Sequence, residues 1–493
     1  MIVVGKFNET FMQISCERHI AYELNEYFSF KVPNVQFHPK FKAKLWDGKI
    51  RLFNINTGKM YLGLYSYLKE WAEKHEYPIQ SDIVEVTRNN TDYDSAYKYM
   101  LDLKPMAKGE NISARTYQIE SFAHCIRQER ALLLSPTSSG KSLVIYSLIR
   151  WHQEFLDNDK ILILVPTTNL VTQMYNDFKD YSSKSNWSVE EQCHIIYSGK
   201  DKDSEKQIYI STWQSLYRLG APYFRKFGMV IGDEAHLCNA QSLKGILEKM
   251  TNCRYRYGTT GTITDSKTHK LVLEGLFGKT YTAVTSKQLM DDKHISDLRI
   301  DCLRLKYSDA EREMAKKYTY REEIDFVTTH KKRNEFIRDL ALLRKGNVLI
   351  LFNFVEKHGK VLYEMLKKKT KKGRNIFFIA GETSVEDREK IRGLAEVEDS
   401  IIVASSGVLS TGVNIRNLQS LIFAHPYKGK IRNLQSIGRV LRLDDKDNKA
   451  ILFDLVDDLS WKKRQNYGIK HWNERVNTYL QEKFDYKCKE IVL

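Results

Sequence analysis

The chain has 493 residues, 42% of them hydrophobic and 28% charged, with a formal net charge of +16. At roughly 100 to 200 residues per domain this predicts about three or four soluble domains with real cores, and excludes a disordered or low-complexity chain. The cationic excess favours a polyanionic partner, nucleic acid first, and no apolar run approaches the roughly 20 residues that a membrane helix needs.

The start, MIVVGKFNETFMQ, has no basic segment followed by a long apolar core, so no secretion signal is predicted. Cysteines stand at 16, 125, 193, 238, 253, 302 and 488 with no C-x-x-C pair, which predicts neither a zinc site nor a disulfide framework. Residues 1–95 read as a small basic α+β domain. HIAYELNEYFSF and YSYLKEWAEKHEY are helix-like, and the stretch between them reads as hairpins turning at Asp47-Gly48 and Asn56-Thr57-Gly58. Between 31 and 60, seven Lys/Arg face one acid, Asp47, and are interleaved with Phe37, Phe41, Trp46 and Phe53. Basic groups near aromatics suit a nucleic-acid face, and the same aromatics suit the core of a small sheet. Lys40, Lys42, Lys44, Lys49 and Arg51 are the predicted nucleic-acid contacts. The polar stretch TRNNTDYDSAYKYM reads as the exit from this domain.

From 113 to 290 apolar strands alternate with helices, at 131–135, 160–166, 193–199, 207–212, 228–234 and 255–260. That pattern predicts a doubly wound parallel sheet. Residues 307–346 are charged and helical and read as a connector. A second α/β series fills 347–457, with strands at 347–353, 375–381, 400–406, 420–426 and 450–457. The last segment, 458–493, reads as a basic aromatic extension. The run KKKTKKGR at 367–374 has six basic residues in eight, and reads as a solvated turn or a nucleic-acid contact.

Chemistry enters at SPTSSGKS, 135–142, between an apolar strand and an amphipathic helix. Backbone N–H groups and the positive helix end there would face an anion. Lys141 would reach the β- and γ-phosphates, and Ser142 would offer its hydroxyl to magnesium. The first position of a phosphate-binding loop is usually glycine, and Ser135 occupies it. Downstream, GMVIGDEAHLC sets Asp233 and Glu234 at the end of another apolar strand, where parallel sheets place ligand chemistry. Asp233 would hold magnesium and Glu234 would polarise the attacking water.

With these motifs in this order the chain resembles the superfamily-2 DEAH-type helicases over about 113–457, and within them the recombination helicases of T-even bacteriophages. The resemblance implies two tandem RecA-like motor domains with ATP between them. ARTYQ is similar to the adenine-reading element, which implies Arg115 and Gln118 at the nucleotide. Ser135, Pro136, Thr137, Ser138, Ser139, Gly140, Lys141 and Ser142 would cradle its phosphates. LVPTTNLVTQ and ISTWQSL resemble the elements that offer Thr167, Thr168, Thr212 and Gln214 to strand phosphates. GTTGT implies Thr260 and Thr262 as coupling residues, with Gly261 in place of the usual alanine. SSGVLSTGVNI implies Thr411 on the strand side, with Gly412 and Asn414 at the nucleotide. NLQSIGRVLRL carries Gln435, Gly438, Arg439 and Arg442 in Q-x-x-G-R-x-x-R spacing; Gln435, Arg439 and Arg442 are implied at the γ-phosphate. Ser138 stands where the family has glycine; no departure removes a charge or a ligand. The implied activity is ATP- and magnesium-dependent unwinding and branch migration of branched DNA in recombination, repair and replication. Implied partners are branched, duplex and single-stranded DNA and RNA–DNA hybrids, with the protein a monomer in the cytoplasm of a host cell. An RNA helicase of the same superfamily, or a non-hydrolysing nucleic-acid scaffold, are the competing readings.

Overall fold

The computed structural model describes residues 1–493 apart from 33–34, 84–92, 108, 137–138, 157–158, 198–200, 240, 262–266, 293–297, 371–373, 408–417, 426–449 and 482. The chain divides into two compact units, Met1–Ser135 with Gly140–Val284, and Pro136–Ser139 with Thr285–Leu493.

The first unit opens with β1 (Ile2–Lys6), β2 (Phe11–Cys16), α1 (Arg18–Tyr27), β3 (Ser29–Lys31), α2 (Pro39–Lys42), β4 (Lys49–Arg51), β5 (Phe53–Asn54), β6 (Lys59–Tyr61), α3 (Tyr65–Lys74) and β7 (Ile79–Ser81). These make a five-stranded sheet in the order β5-β6-β2-β1-β7 and a separate β3-β4 hairpin. The predicted turns are present: Gly48 has φ of 77° and Gly58 of 66°, the left-handed region that glycine enters at least cost. Of the aromatics between 31 and 60, Phe53 is core, whereas Trp46 and Phe41 are half-buried. The polar exit stretch ends in a helix, Tyr93–Asp102, which buries Ala96 and Met100.

A seven-stranded, all-parallel sheet follows: β8 (Arg130–Leu134), β9 (Lys160–Val165), β10 (Cys193–Ile196), β11 (Ile208–Thr212), β12 (Phe227–Gly232), β13 (Tyr255–Thr260) and β14 (Thr280–Thr282), in the order β10-β11-β9-β12-β13-β8-β14. Alternate residues divide between its faces, as strand pleating requires. Leu132, Leu162, Leu164, Tyr209 and Val230 join a core that also contains Ile2, Met12, Leu24, Tyr61 and Trp71 of the N-terminal domain. Ala131, Leu133, Ile161, Ile163, Ile210 and Ile231 face a second core.

The N-terminal domain is therefore not a tethered module. Its residues 61–64 press on the helix Lys267–Phe277 so closely that a Cβ on Gly63 would lie 2.2 Å from the Glu274 carbonyl oxygen, and one on Gly275 would lie 2.8 Å from the Tyr61 ring. Tyr61 donates to Glu248 at 2.6 Å and Tyr67 to Glu274 at 2.7 Å. Between β1 and β2 the turn caps one buried and one half-buried arginine on strands of the large sheet. Arg256 is 0% exposed and donates to the carbonyls of Leu247, Met250 and Cys253 and, at 2.7 Å, to Thr10 Oγ1. Arg130 reaches Glu9 at 3.2 Å. Burial, with the nearby Arg130 charge, pulls the Arg256 pKa down to about 9, so the guanidinium stays protonated at neutral pH and depends on those acceptors.

In the second unit a second all-parallel, seven-stranded sheet is made of β15 (Leu298–Lys306), β16 (Asn347–Phe352), β17 (Asn375–Ile379), β18 (Ser400–Ser405), β19 (Leu418–Phe423), β20 (Ala450–Asp458) and β21 (Tyr486–Val492), in the order β17-β18-β16-β19-β20-β15-β21. Two segments outside the predicted second α/β series pack into this unit. The connector, 307–346, contributes Tyr307, Ala315, Val327, Ile337 and Ala341 to the sheet's core. The basic aromatic extension is integral as well: its helix Tyr467–Gln481 buries Arg475 and Tyr479, which donate to Asp454 of β20 at 2.9 and 3.0 Å, and β21 pairs with β15. Its charge census hid a buried ion pair. In the run 367–374, Arg374 donates to the carbonyls of Arg344 and Gly346, a structural use of its charge.

Gly63→Ala should lower the unfolding free energy by about 1–3 kcal/mol, the usual cost of forcing a methyl into a tightly packed site. Urea unfolding followed by tryptophan fluorescence measures it; an unchanged midpoint would mean that the close approach is not there.

Candidate ATP site

The end of β8 leads into a tight loop. Ser139 donates through its backbone and its hydroxyl to the Pro136 carbonyl, at 3.3 and 2.8 Å. Gly140 follows with φ of 75°, and Lys141 begins the helix α4 (Lys141–Phe155). Glycine is required at 140 twice over. The conformation is left-handed, and a Cβ there would sit 2.3 Å from Gln118 Nε2. Gln118 is buried and works locally as well. It closes a capping box on the helix Thr116–Arg127, accepting from the Arg115 amide at 2.8 Å, while its amide nitrogen reaches the Gly140 carbonyl at 3.3 Å. Arg115 itself donates to the Tyr117 phenol at 2.8 Å. Thus the predicted adenine-reading residues and the end of the phosphate loop are joined by one side chain.

Lys141 folds back along the loop. Its Nζ donates to the Ser135 carbonyl at 3.2 Å and lies 3.9 Å from Glu234. The Ser135 amide donates to the Thr260 carbonyl at 2.8 Å, tying the loop's start to the end of β13. Ser142 is hydrogen-bonded to the phenol of Tyr181.

Asp233 and Glu234 stand beyond the end of β12, which lies two strands from β8. The Asp233 carboxylate is buried and accepts from the Thr259 hydroxyl at 2.6 Å and from the Glu234 amide at 3.0 Å. Burial, then the neighbouring Glu234 charge, pushes its pKa above the ordinary carboxylate value, against the pull of Lys141. A buried and a half-buried carboxylate beside a hydroxyl-bearing loop form a hard-oxygen donor set of the kind a magnesium ion takes. Glu234 has φ of 52°, uncommon for a non-glycine residue and typical of strained positions at reactive sites. His236 Nδ1 lies 3.1 Å from Glu234 and 3.0 Å from the Thr260 hydroxyl, so Glu234, His236 and Thr260 form one chain of contacts.

Sequence reasoning did not single out Thr259 or Tyr181. Thr259 lies in GTTGT, beside Thr260, and only the β12–β13 pairing turns its hydroxyl to Asp233. Tyr181 ends the helix Thr168–Tyr181, far from the loop in sequence.

Around the same sheet end, Thr167 caps the helix Thr168–Tyr181, accepting from the Leu170 amide at 3.4 Å. Thr212 is buried and shares a hydrogen bond with Ser215 at 2.9 Å. Gln214 is exposed and donates to the Pro166 carbonyl at 3.2 Å, which joins the two loops; Thr168 is exposed beside them. Lys40, Lys42, Lys44, Lys49 and Arg51 are all exposed. Arg51 is engaged by Asp47, at 3.3 Å through Nη1, and that hydrogen bond holds the Asp47 carboxyl down at about 2. Thr137, Ser138, Thr262, Thr411, Gly412, Asn414, Gln435, Gly438, Arg439 and Arg442 lie outside the described residues.

Thr259→Val should leave the fold intact and lower ATP turnover about tenfold, because a buried carboxylate loses a hydrogen bond worth about 1–2 kcal/mol. Thr259→Ser should keep most of the rate. A steady-state ATPase assay with a thermal melt on each variant decides; parental turnover in Thr259→Val would contradict the role of this hydrogen bond.

Comparison with known proteins places these features. The family described as DNA helicase UvsW, N-terminal, matches residues 4–82. Type III restriction enzyme, res subunit, matches 111–265, and the helicase conserved C-terminal domain matches 331–444. The chain is 33% identical to the ATP-dependent DNA helicase uvsW of Enterobacteria phage T4, over 98% of each chain. It is 25% identical to the DNA 3'-5' translocase XPB2 of Sulfurisphaera tokodaii, over 71% of this chain and 83% of that one. The crystal structure of T4 UvsW matches with a TM-score of 0.53 and 32% identity, covering 100% of this chain and 99% of that one. A basic α+β domain, two parallel-sheet units and these matches lead to one conclusion: the chain belongs to the UvsW family of ATP-dependent DNA helicases.

Proposed function

We propose that this helicase unwinds and branch-migrates branched DNA: displacement loops, four-way junctions, stalled forks and RNA–DNA hybrid loops, in recombination, repair and replication. The observation that carries the motor assignment is the meeting of Lys141 with Asp233 and Glu234 at the carboxyl end of one parallel sheet. Extension to branched DNA rests on the likeness to the phage T4 relative along almost the whole chain.

In this reading the 135–142 loop binds the phosphates of ATP through backbone amides, and Lys141 leaves its Ser135 carbonyl to neutralise the β- and γ-oxygens. A magnesium ion, held by Ser142 and Asp233, would supply charge neutralisation at those oxygens. Glu234 orients the attacking water and accepts its proton. His236 and Thr260 carry the state of Glu234 to the end of β13 and so toward the strand-binding loops. Gln435, Arg439 and Arg442 take the γ-phosphate roles that the family motif implies, Gly412 and Asn414 contact the nucleotide, Thr262 joins the coupling, and Thr411 binds the strand. Thr167, Thr168, Thr212 and Gln214 present amides and hydroxyls to the phosphates of one strand. Such contacts position without reading bases, so binding is sequence-independent and sensitive to salt. We infer action in the cytoplasm of an infected host cell, because the relative belongs to a phage.

With a synthetic fork, ATP and magnesium, Lys141→Arg should abolish unwinding and largely spare DNA binding. Unwinding at the parental rate would overturn the motor assignment. Neutralising Lys40, Lys42, Lys44 and Lys49 together should weaken fork affinity and flatten its dependence on salt, by about 0.9 of a log–log slope unit for each phosphate no longer neutralised. A fluorescence-anisotropy titration at several salt concentrations measures it; an unchanged slope would remove those lysines from the interface.

A further inference from the structure

We propose that Leu45 is a branch-point wedge: an apolar side chain exposed among lysines of the same segment, which inserts against the first base pair of a DNA junction. The proposal rests on the DNA-helicase reading and deepens it by naming the element that opens the duplex.

Leu45 is 79% exposed, although the turn that carries it is ordered by its own hydrogen bonds. Its amide donates to the Lys40 carbonyl at 2.9 Å, and the Lys44 amide to Phe41 at 3.0 Å. Beyond it, Trp46 Nε1 donates to the Lys49 carbonyl at 3.0 Å, and the Gly48 carbonyl accepts from Val32 at 2.8 Å. Gly48 is packed so tightly that a Cβ would meet Val35 at 2.6 Å. A single exposed leucine needs no explanation by itself. This one follows Lys44, whose φ of 55° is left-handed without being glycine. A left-handed residue just past a helix end is an ordinary cap, and here the cap bonds to Lys40 and Phe41 hold the Leu45 backbone in a fixed place at the end of α2.

The surroundings state the ligand. Lys40 and Lys42 on α2, Lys44 beside Leu45 and Lys49 at the start of β4 are all exposed. Four exposed lysines within five residues of an apolar tip suit a polyanion with an apolar, stackable interior, which is the open end of a duplex. An apolar surface for protein docking would be broader and less charged. A wedge must also be stiff with respect to the motor that drives it. The N-terminal domain shares its core with the sheet that carries Lys141 and Asp233, and the Thr10–Arg256 and Glu9–Arg130 contacts fasten the β1–β2 turn to β13 and β8. The wedge thus rides on the same compact unit as Lys141, Asp233 and Glu234.

The test uses the full-length protein and a fork with 2-aminopurine at the branch-point pair. Without ATP, saturating parental protein should raise the fluorescence as that base unstacks. Leu45→Ser, a surface change, should abolish most of the rise and slow ATP-driven unwinding about tenfold, the order expected when one stacking interaction is removed. Its affinity for the fork should stay within about twofold, because the lysines remain. Leu45→Met should behave like the parent. A full fluorescence rise in Leu45→Ser, or a loss of affinity as large as the loss of opening, would overturn the wedge, as would a parental protein that leaves the branch-point base stacked. A parental protein that opens the branch point but does not unwind with ATP would support the wedge and overturn the motor reading instead.

Discussion

The structure depends on a charge balance at the end of a parallel sheet. Lys141 leaves the loop after β8, Asp233 and Glu234 leave β12, and β13 lies between those strands. In a parallel sheet every strand delivers its next residue at the same end, so groups remote in sequence meet without any long-range contact having to be built for them. Thr259 and Thr260 sit on the intervening strand, one bonded to Asp233 and the other to His236. The sheet order therefore decides both which groups meet and which residues can feel their charge.

A second constraint is the buried arginine. Arg256 sits near the start of β13, the strand whose end carries Thr259 and Thr260. Its guanidinium donates to three carbonyls and to Thr10, so a full set of acceptors must be present wherever that strand is folded. The N-terminal domain supplies one of them. The basic N-terminal domain is thereby part of the first motor sheet's own hydrogen-bond inventory. Binding energy from the proposed lysine contacts is delivered to the unit that includes Lys141, Asp233 and Glu234.

Much of this was legible in the sequence, for identifiable reasons. The motor strands are near-continuous apolar runs because both faces of a parallel sheet are covered. The loop and DEAH motif were legible because their chemistry needs fixed residue types at fixed spacing. Strand β15 was not legible: LRIDCLRLK mixes charges among its apolar residues, and Arg304 is matched by Asp458 across the sheet, at 2.8 Å. The packing of the C-terminal segment was not legible for the same reason, since composition counts Arg475 only as a charge and cannot see that Asp454 neutralises it inside the core. Thr259 and Tyr181 escaped because their roles arise from strand pairing and helix packing rather than from motif spacing. The mixed aromatics at 31–60 were legible only as a pair of alternatives, and burial divided them.

The central claim is that the Asp233 and Glu234 carboxylates and Lys141 form an ATP-hydrolysing centre that responds to DNA. Magnesium-dependent ATP turnover measured on single-stranded, duplex, forked and RNA–DNA hybrid nucleic acids, with single-stranded RNA as the contrast, tests it most directly. The account predicts low turnover alone, strong stimulation by DNA that is greatest on forked substrates, and little by single-stranded RNA. Turnover that ignores DNA, or that only RNA stimulates, would contradict it.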